Sequence, residues 1–387
     1  MLFASVVAAA VGLLSAPVAA SPIESRDVLA DLQVQAMDAL KLGEAESGSA
    51  SRLGSCNIFN ARYRRDWEAL SAQEKKSYIG AVQCLQKLPS KSDPELFPGA
   101  RSRYDDFVAV HINLTSTIHA TGNFLTWHRY FVWSYEEALQ KECSYKGTQP
   151  YWNWVKYQDD LTKSPLFDGS DTSLGGDGAF FQHNGSFGGA GTIHLPSGKG
   201  GGCIQSGPFV NMSVNLGPVR PGMNGMVAGP NGGLGYNPRC LSRDLSSYIM
   251  TNWMTNENLL NMTIGRSSGN IKDFQEELQG RFEDRFLGMH GAGHYAVGGE
   301  AADLFSSVND PSFFFHHAMV DRVYWLWQTL HPWNAFEIAG TMTIGNNPPS
   351  RNATVEDELI MGVNGETRKI KELLNTIGGT PLCYVYL

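Results

Sequence analysis

Six of the ten histidines fall into two sets of three: His111, His119 and His128, then His290, His294 and His317. His290 and His294 are four residues apart, so on a helix both rings leave one face and can reach one ion. His317 lies in the next strongly patterned segment and can complete that set from a facing element. His119 and His128, nine apart, fit one ligand on a loop and one at the start of a helix, with His111 arriving from the preceding helix or turn. Three imidazoles per ion leave open coordination positions, and open positions permit chemistry on a small ligand. Imidazole suits copper, zinc, iron and nickel. The absence of a carboxylate near either set argues against a facial-triad iron site, no HExxH is present, and a dizinc hydrolase would lack its bridging carboxylates. A lone histidine is more often a satisfied core group than a ligand. His316 is read that way, and His183, His194 and His331 are placed in loops or at a helix end.

The elements that must position these rings are mostly helical. Helical pattern runs from Asn60 to Leu88, with Ser71 capping Ala72-Gln73-Glu74, and from His128 to Cys143, where Phe131, Tyr135, Ala138 and Leu139 share one face. It returns at Ser246 to Leu260 and at Ile271 to His294. Asp310-Pro311 then starts a helix that carries Phe313, Phe314, His317, Val320, Tyr324 and Trp327 inward and closes at His331-Pro332. Between Asp168 and Cys240 the period fades, and about half of the 42 glycines fall there. That stretch is either an ordered excursion with little regular structure or a plain surface insertion.

Residues 1–20 are apolar, uncharged and end in Val18-Ala19-Ala20, the pattern of a cleaved signal peptide. Residues 21–50 read as a loosely attached arm or a propeptide, and 51–387 as one catalytic domain. No later stretch is apolar enough to span a membrane. Five sequons, at Asn113, Asn184, Asn211, Asn261 and Asn352, are candidate glycan acceptors on surface loops. Six cysteines follow the signal; fifteen pairings are possible, and the one expected is Cys56–Cys383, Cys84–Cys143 and Cys203–Cys240. These features predict a secreted glycoprotein. The net charge of −8 without a basic stripe argues against nucleic acid as a partner, and no obligate protein partner is inferred.

The residues flanking the histidines carry a resemblance. His119, Phe124-Leu125-Thr126-Trp127-His128-Arg129, Val132 and Glu136 resemble the first copper signature of tyrosinases and catechol oxidases. Asp310-Pro311-Ser312-Phe313-Phe314, His317 and Asp321 resemble the second. Pro150-Tyr151-Trp152-Asn153-Trp154 and Tyr384-Val385-Tyr386 look like further landmarks, so the likeness runs from about Asn60 to the C-terminus. It is greatest to short, secreted fungal polyphenol oxidases. The resemblance implies a mainly α fold, a four-helix bundle holding a dinuclear type 3 copper centre, with long glycine-rich loops and few short strands. Each histidine trio would bind one of two copper ions. Two such ions pass two electrons to dioxygen; a catechol returns two and leaves as o-quinone. Asp321, one turn beyond His317, is the expected acceptor for that imidazole, or else half of a helix-face salt bridge with Arg322 or a lysine.

The departures bear on the substrate. Thr117 stands where many fungal relatives carry a cysteine thioether-linked to the second histidine. Gly291 follows His290, where enzymes that hydroxylate monophenols often carry Asn to orient a water. Tyr295 follows His294, Leu304 stands where the family places a residue over the copper, and Glu283 is the candidate to hold a water. Together these favour oxidation of o-diphenols, with dioxygen and a phenolic molecule as substrates. The alternatives are a tyrosinase with substantial monophenol hydroxylation and a haemocyanin-like oxygen carrier. Long relatives carry a C-terminal domain over the copper site; this chain ends about seventy residues after His317, so no such shield is expected.

Overall fold

The computed structural model describes residues 27–46, 56–223 and 225–387. The expected signal peptide and parts of the following arm lie outside them. Among the described residues there are nine α-helices: α1 (Val28–Glu46), α2 (Ala72–Leu85), α3 (Arg103–Ile118), α4 (Phe124–Cys143), α5 (Ser247–Trp253), α6 (Asn256–Thr263), α7 (Ile271–Gln279), α8 (Gly288–Val297) and α9 (Ser312–Leu330). Helices α3, α4, α8 and α9 form the bundle expected: α4 packs on α3 and α9, and α9 packs on α8. No helix of the described residues is long and apolar enough to cross a membrane.

Local chemistry sets the helix starts. Ser71 and Glu74 form a capping box at α2, and Ser102 and Asp105 form another at α3. At α9 the Asp310 carboxylate accepts the Ser312 N–H at 2.9 Å while Arg243 grips it through two nitrogens at 2.7 and 2.9 Å. That second duty ties the start of α9 to the glycine-rich segment, because Arg243 also donates to the Gly175 carbonyl at 2.8 Å.

Three helical expectations were too long. Residues 60–88 contain a short strand (Arg62–Arg64) before α2. Residues 271–294 are not one helix but α7 and α8, separated by a 3-10 turn at Phe282–Asp284. Gly280 at φ +112° and Gly288 at φ +74° make the break, since both adopt backbone that L side chains rarely tolerate. The stretch Ser246–Leu260 likewise divides into α5 and α6. The arm is held more closely than its composition suggested: Leu29, Leu32 and Ala36 of α1 are buried against the core, and α1 lies along α9. Gln33 there donates to the Tyr386 carbonyl at 2.6 Å and accepts from Arg322 at 2.9 Å.

The disulfides pair as expected, Cys56–Cys383, Cys84–Cys143 and Cys203–Cys240. The first joins the beginning and end of the domain. Beside it, Arg62–Arg64 pairs in parallel with Tyr384–Tyr386. Of the five sequons, Asn184, Asn211 and Asn352 are exposed and lie outside helices, but Asn113 sits in α3 and Asn261 in α6. The loop expectation fails at those two because their flanking apolar residues belong to the helical repeat.

Asp321 does not hold an imidazole. Its carboxylate accepts from Arg129 Nε at 2.6 Å, Arg64 at 3.3 Å, and the phenols of Tyr384 and Tyr386, both at 2.6 Å. The salt bridge is therefore not with Arg322 or a lysine. Every side chain in this cluster is buried. Burial alone would raise the Asp321 pKa, yet the two arginines and two phenols more than offset it and hold the carboxylate below its ordinary range. Removing that charge leaves two buried guanidinium groups without their shared partner. Asp321→Asn is thus expected to destabilise the fold by about 3–5 kcal/mol in chemical denaturation; a loss within experimental error would show that the hub is not structural.

Candidate metal centre

The bundle delivers the six imidazoles as follows. His111 projects from the interior of α3, and His119 is the residue that ends it. His128 lies in the second turn of α4 rather than at its start, because α4 begins at Phe124. His290 and His294 occupy one face of α8, and His317 faces them from α9. The metal-binding atoms of His111, His119 and His128 lie within 4.8 Å of one another, and those of His290, His294, His316 and His317 do likewise. The two sets adjoin: the His128 and His317 rings stack at 4.4 Å, and His119 lies 6.1 Å from His290.

In the first trio the other ring nitrogens are tied back to main chain. His111 Nδ1 donates to the Phe305 carbonyl at 2.7 Å, His119 Nδ1 to Thr115 at 3.0 Å and His128 Nδ1 to Phe124 at 2.9 Å. The Thr115 carbonyl is one of the last four of α3, which lack a helical partner, so it is free to accept. A proton on Nδ1 leaves each Nε2 as a bare lone pair pointing inward. His111 Nε2 and His128 Nε2 are buried with no hydrogen-bond partner. In the second set, His294 Nε2 lies 3.2 Å from both His290 Nε2 and His317 Nε2. Converging lone pairs in a buried space repel unless a cation sits among them, so the donor set fits a metal ion in each trio.

Burial makes this possible at neutral pH. It drives the His111, His128, His290, His294 and His317 pKa values well below the ordinary range, with neighbouring imidazoles adding to the effect, and brings His119 to about 4. The rings are therefore neutral, the form that binds metal.

His316 is more than a satisfied core group. Its Nε2 donates to the His290 carbonyl at 2.9 Å, linking α9 to the backbone of α8, while its Nδ1 has no partner. A Cβ on Gly293 would fall 2.1 Å from the His316 ring, so the second glycine of Met289–His294 allows the two helices to meet. His183 lies away from the trios with its Nε2 3.1 Å from the Asp244 carboxylate, and His194 is exposed.

Three of the residues singled out, Gly291, Tyr295 and Leu304, stand next in the chain to a trio histidine or to Phe305, which holds one. Gly291 and Tyr295 follow one face of α8, just after Leu287 at its N-cap, and Tyr295 donates its phenolic hydrogen to the Phe187 carbonyl at 3.0 Å. Burial and nearby Asp303 push the Tyr295 phenol up to about 12, so it remains protonated. Leu304 is 39 % exposed and precedes Phe305, whose carbonyl holds His111. Glu283 is different. It is exposed on the turn between α7 and α8 and, among the described residues, bonds to none of the imidazoles. The glycines that break the helix carry it out to solvent, so the structure does not bring it to the cluster.

Sequence reasoning did not find Asp303. Fully buried, it accepts four backbone N–H groups: Phe305 and Ser306 at 2.9 and 2.8 Å, and Val219 and Arg220 at 2.9 and 2.5 Å. It thereby clasps the glycine-rich segment to the strand of chain that carries Leu304. That segment is an ordered excursion, not a plain insertion. It forms three short antiparallel pairings, and its Gly188 and Gly222 pack against Tyr295.

The family model for the common central domain of tyrosinase matches residues 101–330. The chain belongs to the tyrosinase family. Its bundle, imidazole trios and helix order are those of a dinuclear copper protein. Tyrosinase P of Aspergillus terreus is 40% identical over 332 residues, covering 84% of this chain and 91% of that one. An N-acetyl-6-hydroxytryptophan oxidase of Emericella nidulans is 37% identical over 347 residues, covering 86% and 93%. The structure of a polyphenol oxidase from Thermothelomyces thermophila, in a glycine-to-asparagine variant, superposes with a TM-score of 0.87 at 39% identity, covering 93% of this chain and 98% of that one.

Two measurements test the centre. His128→Ala should reduce bound copper from about two ions per chain to about one by atomic absorption, whereas His194→Ala, at an exposed site, should leave it unchanged; equal copper in both would remove His128 from the ligand set. The metal-free protein should lose stability as pH falls from about 6.5 toward 4, because the unfolded chain then binds protons that the buried imidazoles reject. A melting temperature that stays flat across that window contradicts the neutral, buried cluster.

Proposed function

We propose that this member of the tyrosinase family is a secreted oxidase that converts o-diphenols to o-quinones, with dioxygen reduced to water. In this reading His111, His119 and His128 hold one copper ion, and His290, His294 and His317 hold the other. The bound copper pair supplies the electron transfer: four electrons from two catechols reduce one dioxygen to two waters. The chain's own contribution is to keep six imidazoles neutral, fix the ring planes of the first trio through backbone carbonyls, and shape the approach of the phenol.

The observation that carries the preference for diphenols is Gly291. It follows His290 on the face of α8 that also carries Tyr295, and it presents no side chain to hold a water or accept a proton. A monophenol must lose its proton and gain an oxygen on the ring. An o-diphenol needs neither help, since it gives up two electrons and two protons from groups it already has. Tyr295 is held protonated and committed to the Phe187 carbonyl, so it does not replace the missing base.

The name tyrosinase on one relative supports the second reading, substantial monophenol hydroxylation. Secretion is supported by the three closed disulfides and by the exposed sequons at Asn184, Asn211 and Asn352, which are candidate glycan sites.

Oxygen uptake by the copper-loaded protein tests the reading. Catechol should be consumed rapidly and tyramine slowly or after a lag; uptake with neither would sink the oxidase assignment, and prompt uptake with tyramine would favour the second reading. Gly291→Asn should raise the monophenol-to-diphenol rate ratio by several-fold. The fold accepts this change: a Cβ there meets only the Leu287 side chain, at 3.4 Å, and helical asparagine is no worse than glycine. An unchanged ratio would clear Gly291 of control.

A further inference from the structure

Arg220 is a cation whose guanidinium makes no ion pair among the described residues. Arg220 lies in the glycine-rich segment, and its side chain is exposed. Its backbone N–H is fixed by Asp303, the same carboxylate that fixes the N–H of Phe305. Its guanidinium lies over the Phe305 ring, 5.4 Å from the centroid. Phe305 in turn holds His111 through its carbonyl, and its chain neighbour is the exposed Leu304. Two residues beyond Arg220, Gly222 packs against Tyr295, where an added Cβ would come 3.2 Å from the ring. The segment therefore touches both Phe305, whose carbonyl holds His111, and Tyr295, the neighbour of His294, with Arg220 at the Phe305 contact.

The charge of Arg220 is not used within the protein. Among the described residues no carboxylate lies within ion-pair distance of its guanidinium, in contrast to Arg239, which is paired with Glu300 in the same segment. Asp303, the acidic group nearest in the chain of contacts, is buried and already accepts four backbone N–H groups. A guanidinium held beside an aromatic ring loses little freedom when it binds, and its planar fork matches a carboxylate.

We propose that Arg220 is a specificity residue that binds a carboxylate carried on the side chain of a phenolic substrate, so that aryl carboxylates are preferred over neutral phenols of the same size. The inference rests on the oxidase reading only in naming the carboxylate bearer as substrate; binding is testable without turnover.

Titration calorimetry on the copper-loaded protein, with cinnamate and with cinnamamide, provides the first arm. Cinnamate should bind more tightly to the unaltered protein, and Arg220→Gln should weaken it about three- to fivefold while leaving cinnamamide unchanged. Arg220→Lys should restore part of the difference, and added salt should shrink it. Kinetics provide the second arm: for 3,4-dihydroxyphenylpropionate the loss in Arg220→Gln should fall on KM and not on kcat, with 4-methylcatechol unaffected. Equal binding of the two cinnamyl ligands to the unaltered protein, or equal losses for both in the variant, would overturn the proposal. If 4-methylcatechol is not oxidised at all, the oxidase reading fails, and the calorimetric arm still decides the role of Arg220.

Discussion

Six neutral imidazoles brought together in a dry core impose the constraint around which the fold is arranged. Each ring must present a bare nitrogen inward, and each therefore needs somewhere to place its remaining N–H. In the first trio those hydrogens go to main-chain carbonyls of Thr115, Phe124 and Phe305, groups whose positions are set by helix ends and a tightly clasped turn. Carbonyls serve this purpose without introducing a second buried charge, which a carboxylate would do. The His294 nitrogen lies 3.2 Å from those of both His290 and His317, a convergence that a positive ion among them would stabilise, so metal and fold support one another.

The bundle could not hold such rings if its ends were free to separate. Asp321 prevents that by gathering Arg64, Arg129, Tyr384 and Tyr386, which come from the first strand, α4 and the final strand, onto one carboxylate of α9. Cys56–Cys383 closes the same seam covalently, and α1 lies along the outside of α9. The conspicuous tyrosines near the C-terminus are thereby explained as structural donors, remote in role from the phenol chemistry of the site.

A second buried carboxylate, Asp303, does for the substrate side what Asp321 does for the core. It joins the glycine-rich segment to the turn bearing Leu304 by backbone hydrogen bonds alone. Segments with so many glycines have few side chains to pack, so their shape must come from such polar anchors and from the Cys203–Cys240 bridge. The loops beside the trios are thus held by carboxylates, and the helices that carry the imidazoles by aromatic packing.

The sequence by itself determined which six histidines converge, the helices that carry His128 and His317, the helix starts at Ser71 and Asp310, and the family. Those features are local: spacing along a helix, capping side chains and contiguous signatures survive in one dimension. Only the tertiary structure decided the partners of Asp321, the donor role of His316, the removal of Glu283 from the site and the clasp at Asp303. Each depends on residues brought together across long stretches of chain, as in Arg64 with Asp321 or Val219 with Asp303. The break between α7 and α8 belongs with them, because a glycine permits a left-handed turn without requiring one, and only the packed bundle makes that choice.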